Sequence, residues 1–267
     1  MVAITSATVT LGPADARLDD TAAIVTGAAA GIGRAAAVAL AAFGADVAVC
    51  DRDEANLAAC VAEIEATGRR ARPGLLDVRD GDAVRGWVDT VAEQLGRIDV
   101  VVNNAGGGFR SGFLDVNDKG QDALVRENFT SVTNFVRAAV PHMPQSGGSI
   151  VNITSIEAHR AAPGFAVYSA MKAAVANLTL TLALELGERM IRVNCIAPDV
   201  IPTPGIGDVP VRTPLPRAGH VDDVAAAVVF LANPAMSGFV TGTTLHVDGG
   251  NRAAGGWHRE SDGSFST

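Results

Sequence analysis

The sequence predicts an α/β fold: a single-domain, doubly wound parallel sheet with helices on both faces. Three observations carry this expectation. Short runs of β-branched and apolar residues alternate with longer Ala-rich helical stretches along the whole chain, which is the pattern of successive βαβ units. Hydrophobic residues make up 48% of the 267 residues but aromatic residues only 4%, as suits strands buried on both faces under small-residue helices. A glycine-rich turn, 27–33, separates the first strand from the first helix, the place where right-handed crossovers leave a crevice for a ligand.

The elements follow in order. A first strand at 22–26 runs into the glycines, and a helix at 33–43 is closed by Gly44. A second strand at 46–50 precedes a helix at 54–67, and a third at 72–77 precedes one at 82–95, with Gly96 as its C-terminal stop. An Ile/Val strand at 98–103 is followed by a helical stretch at 122–143 with a break near Asn128. Strands at 149–154 and 191–196 flank a long helix at 165–188; a helix at 221–232 and a last strand at 244–247 complete the alternation. The proline-rich stretch 198–219 reads as a lid or binding loop. Residues 1–20 read as an N-terminal arm, 21–251 as the domain and 252–267 as a C-terminal tail.

Charge and composition exclude several functions. A net charge of −8 argues against nucleic acid and against an anionic membrane surface. Cys50, Cys60 and Cys195 lack metal-ligand spacing and cannot all pair, and the five histidines form no metal-binding motif. No metal is expected, and the cysteines read as buried thiols of a cytoplasmic protein. Neither a secretory signal nor a run of about 18 apolar residues is evident.

The turn Thr26-Gly27-Ala28-Ala29-Ala30-Gly31-Ile32-Gly33 places glycines where a diphosphate must approach the backbone. The helix N-terminus behind it offers free amides and a positive dipole end. Asp51 ends the second strand, 18 residues after Gly33, where an acid binds the adenosine ribose hydroxyls. It would also repel the additional phosphate of NADP, so NAD is expected in preference to NADP, with Arg52 as the counter-signal. The alternative for Asp51 is a helix cap.

The only tyrosine, Tyr168, stands four residues before Lys172, on one face of a helix. A phenol with a pKa of about 10 is a poor acid or base at neutral pH. A neighbouring ammonium would favour the phenolate and bring it into a useful range.

Together, TGxxxGxG at 26–33, Asn103-Asn104-Ala105-Gly106 after a strand, Ser155, and Tyr168-Ser169-Ala170-Met171-Lys172 resemble the short-chain dehydrogenase/reductases over residues 20–250. The interval of 13 from Ser155 to Tyr168 also matches. The resemblance implies a Rossmann-like domain of about seven strands, often tetrameric. It implies that Tyr168 is the catalytic acid/base, that Lys172 holds the nicotinamide ribose and lowers the Tyr168 pKa, and that Ser155 hydrogen-bonds the substrate oxygen. Asn128 matches the asparagine that breaks a helix and positions a proton-relay water. Asp77 and Val78 match an adenine-contacting pair. Asn104, Ala105 and Gly106 would line the cofactor through backbone, and Ile201 and Thr203 match positions that hold the nicotinamide carboxamide. The segment Val247-Asp248-Gly249-Gly250 resembles the family's last strand and turn. One departure is that Pro198 is followed by Asp199 where the family has glycine. Glycine reaches backbone shapes that cost other residues energy, so this bears on the loop and its nicotinamide contacts.

The expected function is hydride transfer between NAD(H) and a small-molecule secondary alcohol or ketone, with hydroxysteroids, 3-oxoacyl compounds and small polyols as candidates. The alternatives are a non-catalytic dinucleotide-binding regulator and a lyase or epimerase using the same cofactor. Pocket candidates are Ile156, Glu157, His159 and Phe165, Phe109 and Arg110, and the loop 199–217. His159 and Glu157 read as solvent-facing. The long Ala-rich helix suits packing on a second copy, as a dimer or tetramer.

Overall fold

β1 (Ala22–Thr26) is buried along its whole length and lies inside a seven-stranded parallel sheet. The computed structural model describes residues 11–203, 206, 211–260 and 262–266. The other strands are β2 (Asp46–Asp51), β3 (Ala71–Leu75), β4 (Val100–Asn103), β5 (Gly148–Ile153), β6 (Ile191–Pro198) and β7 (Thr244–Val247). Their order is β3-β2-β1-β4-β5-β6-β7, with every neighbouring pair parallel. The chain winds outward to β3, then returns across β1 to build the other half from β4. That reversal opens a crevice at the carboxyl ends of β1 and β4.

Alternate strand residues feed two cores. Ala23 and Val25 face α1 (Gly31–Ala42), α2 (Glu54–Ala66) and a late helix, Val221–Ala232. Ala22 and Ile24 face α3 (Gly81–Leu95) and the helices that follow it. Both faces being covered explains why the strands read as continuous apolar runs rather than alternating ones. Fully burying a side chain such as Ile24 or Val25 stabilises by about 1.5–3 kcal/mol. Pro73 falls in β3, an edge strand, where its missing N–H costs no ladder bond.

Several boundaries differ from the expectation, each for a local reason. α1 begins two residues earlier than expected, at Gly31, whose φ of +57° turns the chain into the helix in a conformation that glycine adopts freely. The stretch expected at 122–143 begins at α4 (Asp118–Val125), since the Asn117 side chain accepts the Gly120 amide at 2.9 Å and caps it. It passes through a π-turn (Arg126–Thr130) around Asn128, continues as α5 (Ser131–Ala139), and tightens into a 3-10 turn at Val140–His142, where Pro141 cannot continue it. α6 (Ala166–Glu185) is followed by the 3-10 turn Gly187–Arg189. α7 (Val221–Ala232) and β7 stand where expected.

The domain starts before residue 21. Leu18 is 1% exposed and belongs to the core under α1 and α7. Its amide donates to the Phe43 carbonyl at 2.8 Å, and the Asn233 side chain donates to the carbonyls of Asp15 and Arg17. Leu18 stands between Arg17 and Asp19-Asp20 with no helical or strand periodicity around it, so the sequence did not announce this anchor. Residues 1–10 of the expected arm lie outside the described residues. The expected tail forms a helical turn, Asn251–Ala254, and a two-stranded antiparallel ribbon pairing His258–Arg259 with Phe265–Ser266.

One further expectation is corrected. α6 is 20 residues long with a mean hydropathy of 1.3 and meets the length and composition of a membrane-crossing helix. The cause is its Ala- and Leu-rich composition with few charges. It lies against the sheet with Val175, Thr179 and Ala183 buried and Leu180 and Leu184 exposed.

Candidate active site and dinucleotide cleft

A cleft of about 900 Å³ runs along the carboxyl ends of the central strands. Its lining comes from the loops after β1, β2, β3, β4, β5 and β6 and from the start of α6. Parallel strands point every such loop the same way, so residues far apart in sequence converge here.

The glycine turn forms one end. A side chain on Gly33 would bring its Cβ to 2.1 Å from the Gly27 carbonyl oxygen and 2.5 Å from Asn104 Nδ2. Only glycine fits there, and it lets α1 close tightly on the turn. Asn104 Nδ2 donates to the carbonyls of Thr26 and Gly27, both at 3.0 Å. The Thr26 hydroxyl accepts the amides of Asn104 at 3.0 Å and Ala105 at 2.9 Å. Thr26 thereby ties the loop after β1 to the loop after β4, a role beyond its place in the motif. Ala30, at the N-cap of α1, offers no side-chain cap, and the first turn holds no acid. The helix amides there are open to an anion. The cradle and the cleft volume fit a dinucleotide.

Asp51 is not a helix cap; Asp53 caps α2 by accepting the Asn56 amide at 3.1 Å. Asp51 accepts the amides of Ala29 at 3.0 Å, Arg52 at 2.7 Å and Asp53 at 3.1 Å, so it is braced against the glycine turn. Arg52 reaches Glu127 of the π-turn at 3.7 Å, and both line the cleft. Val78 lines it too, beside Leu76. The neighbouring Asp77 carboxylate is gripped by Arg79, whose hydrogen bonds hold it down at a pKa of about 2.

At the other end Ser155, Tyr168 and Lys172 line the cleft together. Ser155 caps the 3-10 turn Ile156–His159 by accepting the Glu157 amide at 3.2 Å. Tyr168 and Lys172 lie in the first turns of α6. Gly108 lets the loop after β4 lie on the tyrosine, for a Cβ there would sit 3.0 Å from the ring. Burial pushes the Tyr168 phenol up, contact with Ser155 pulls it back, and the Glu157 charge pushes it up again. The expected lowering by Lys172 does not figure in this balance. Burial drives Lys172 down to a pKa of about 8, with Cys195 and Glu127 opposing. Its amine donates to the Ile153 carbonyl at 2.9 Å. The burial that brings the pair together also desolvates both charges.

Asn128 is 1% exposed and does not line the cleft. Its Nδ2 donates to the carbonyls of Gly107 at 2.8 Å and Leu124 at 2.9 Å, and its Oδ1 accepts the Gly107 amide at 3.2 Å. The Asn128 side chain thereby bonds the carbonyl of Leu124, just before the π-turn, to the loop after β4. Asn128 therefore holds the glycine loop that faces Tyr168.

Gly27, Gly31, Ile32, Asn104, Ala105, Gly106, Ile201 and Thr203 all line the cleft. Gly33 lies behind it, in the packing of the turn. Among the pocket candidates, Arg110, Ile156, Glu157, Phe165 and Asp199 line it, while Phe109 and His159 do not. Glu157 pairs with Arg160 at 2.8 Å, and His159 lies edge-on to His246 with ring centres 4.8 Å apart. Asp199 has no left-handed backbone; among the described residues the non-glycine positions with positive φ are Asp20 and Met190. Its carboxylate accepts Asn251 Nδ2 at 2.6 Å and faces Arg160 at 3.7 Å, so the departure at this position costs no strain. Part of the proline-rich loop, 204–205 and 207–210, lies outside the described residues. Gly107 and Gly108 were not singled out by sequence; the run of three glycines after Ala105 was the available signal.

Comparison with known proteins accords with this geometry. The family model described as enoyl-(acyl carrier protein) reductase matches residues 27–252. A 3-oxoacyl-(acyl-carrier-protein) reductase of Thermotoga maritima is 38% identical over 243 residues, spanning 88% of this chain and 98% of that protein. A solved 7α-hydroxysteroid dehydrogenase, complexed with NADH and 7-oxo glycochenodeoxycholic acid, superposes with a TM-score of 0.86 at 34% identity, covering 90% of this chain and 98% of that one. A blue fluorescent protein from a metagenomic library, complexed with NADPH, superposes with a TM-score of 0.83 at 37% identity, covering 88% and 98%.

Proposed function

Because the chain belongs to the short-chain dehydrogenase/reductase family and is an NAD(P)-dependent oxidoreductase of alcohol and ketone groups, we propose that Tyr168 moves the proton, Ser155 steadies the reacting oxygen and Lys172 anchors the nicotinamide ribose. The observation that carries this reading is the meeting of these three side chains in one cleft with the glycine turn. The bound dinucleotide supplies the hydride donor or acceptor. In oxidation the Tyr168 phenolate takes the hydroxyl proton; in reduction the phenol returns a proton to the forming alkoxide. The Ser155 hydroxyl donates toward the oxygen on which charge develops. Lys172, with a pKa of about 8, is largely protonated at neutral pH, so it can donate to ribose hydroxyls. Asn128 acts through the Gly107 backbone, fixing the loop that faces the tyrosine.

The preferred dinucleotide is NAD. Asp51, braced on Ala29 of the glycine turn, would meet the adenosine ribose and repel an added phosphate, and Arg52 faces Glu127 at 3.7 Å. An oligomer of this chain is supported by the exposed Leu180 and Leu184 on α6, which a second copy would cover.

Nicotinamide absorbance, followed with a panel of secondary alcohols and ketones and with each dinucleotide in turn, tests the reading. Steady turnover, faster with NAD, is expected. A flat trace across the panel despite saturating dinucleotide would remove the dehydrogenase reading.

A further inference from the structure

The charged side chains that line the cleft are, with one exception, already engaged. Arg52 meets Glu127, Asp51 accepts three amides, and Asp53 caps α2. Glu157 pairs with Arg160, Asp199 is held by Asn251 and Arg160, and Lys172 donates to the Ile153 carbonyl. Arg110 is the exception: it lines the cleft, is exposed, and has no carboxylate partner among the described residues.

Its position is built rather than incidental. The Ser111 amide donates to the Gly164 carbonyl at 2.9 Å, tying the loop after β4 to the segment entering α6. Gly164 has φ +87°, and a Cβ on it would stand 3.0 Å from Arg110 Cγ and 3.4 Å from Nε. The arginine stem therefore lies across a backbone that only glycine leaves clear. Gly108, two residues away, packs on the Tyr168 ring, which puts the Arg110 backbone within about 7 Å of that contact. Apolar side chains from the loop after β6 stand at the mouth: Val200 and Ile206 line the cleft and are 44% and 53% exposed.

We propose that Arg110 recognises an oxyanion carried by the substrate several bonds from the reacting carbon, so that the substrate is an apolar hydroxy or oxo compound bearing a carboxylate or a phosphate. This rests on the oxidoreductase reading of the same cleft. A guanidinium pairs bidentately with either anion. Val200, Ile206 and the cleft-lining Phe165 take the body of the substrate, while Ser155 and Tyr168 take its reacting oxygen.

The test uses secondary hydroxy acids of graded chain length, each alongside its neutral methyl ester, and a 3-hydroxyacyl thioester whose phosphates lie on the carrier. Turnover is measured for the unaltered protein, Arg110→Met, Arg110→Lys, and Arg85→Met as a control on exposed α3. The expected result is a preference for one anionic class over the ester, read as the ratio of kcat/KM values. Arg110→Met should lower that ratio by about tenfold or more, mainly through KM. Arg110→Lys should restore part of it, and Arg85→Met should leave the ratio where it was. Preference for the free acids assigns a carboxylate; preference for the thioester assigns the phosphate. Esters turned over as well as both anionic classes, or a ratio unmoved by Arg110→Met, would overturn the proposal while leaving the dehydrogenase standing. Absence of turnover with every compound, although NADH binds by fluorescence, would overturn both.

Discussion

The Lys172 amine stands 5.6 Å from the centre of the Tyr168 ring and donates to the Ile153 carbonyl, not to the phenol. The two side chains share a helix face, yet the lysine is 5% exposed and bound to the end of β5. Its place at the base of the cleft suits a ribose anchor, with the tyrosine nearer the mouth and free to meet a substrate oxygen.

Removing the phenol oxygen isolates its role. Tyr168→Phe keeps the ring that packs on Gly108, so the fold and dinucleotide affinity should hold while turnover falls by about 10²–10⁴-fold. Stopped-assay rates together with NADH fluorescence titration check this; activity near that of the unaltered protein would exclude the tyrosine mechanism.

Lys172 should also leave a mark on stability. Its pKa falls from 10.5 to about 8 in the folded protein, so below pH 8 the fold bears the full cost of a desolvated ammonium. That cost disappears as pH rises from about 8 toward 10.5, and it amounts to about 3 kcal/mol. Lys172→Met removes this titration and adds a pH-independent loss of the bond to Ile153. The stability of the variant relative to the unaltered protein should therefore be most favourable near pH 7 and decline toward pH 10. Thermal melts across that range would show a flat difference if the lysine were not desolvated.

Asp51→Ala should narrow the preference between dinucleotides, lowering the NAD-to-NADP ratio of kcat/KM about tenfold. It also strips the Ala29 amide of its acceptor, so binding of both dinucleotides should weaken. An unchanged ratio would transfer discrimination to Arg52 and its partner Glu127.

Gly33→Ala tests the tightness of the turn. The added Cβ would meet the Gly27 carbonyl and Asn104 Nδ2, neither of which is a free side-chain end. We expect a loss of about 3 kcal/mol or more, seen as a melting temperature lower by about 5 °C or more, and weakened NADH binding. A melting temperature equal to that of the unaltered protein would mean that α1 can shift at little cost.

The sequence by itself determined the parallel sheet, its strand count and the meeting of Ser155, Tyr168 and Lys172 in one cleft with the glycine turn. Strands buried on both faces must be apolar throughout, helices between them must be amphipathic or Ala-rich, and TGxxxGxG, Ser155 and the Tyr168–Lys172 pair are local patterns of residue type and spacing. What local spacing does not encode is which side chain a residue meets from another strand. Only the tertiary structure decided that Thr26 ties Asn104 to the loop after β1, that Asn128 holds Gly107, that Leu18 anchors the arm, and that Asp199 reaches Asn251. The lysine's depressed pKa belongs to the same class, because burial of a charge is set by everything packed around it and not by the residue four positions away.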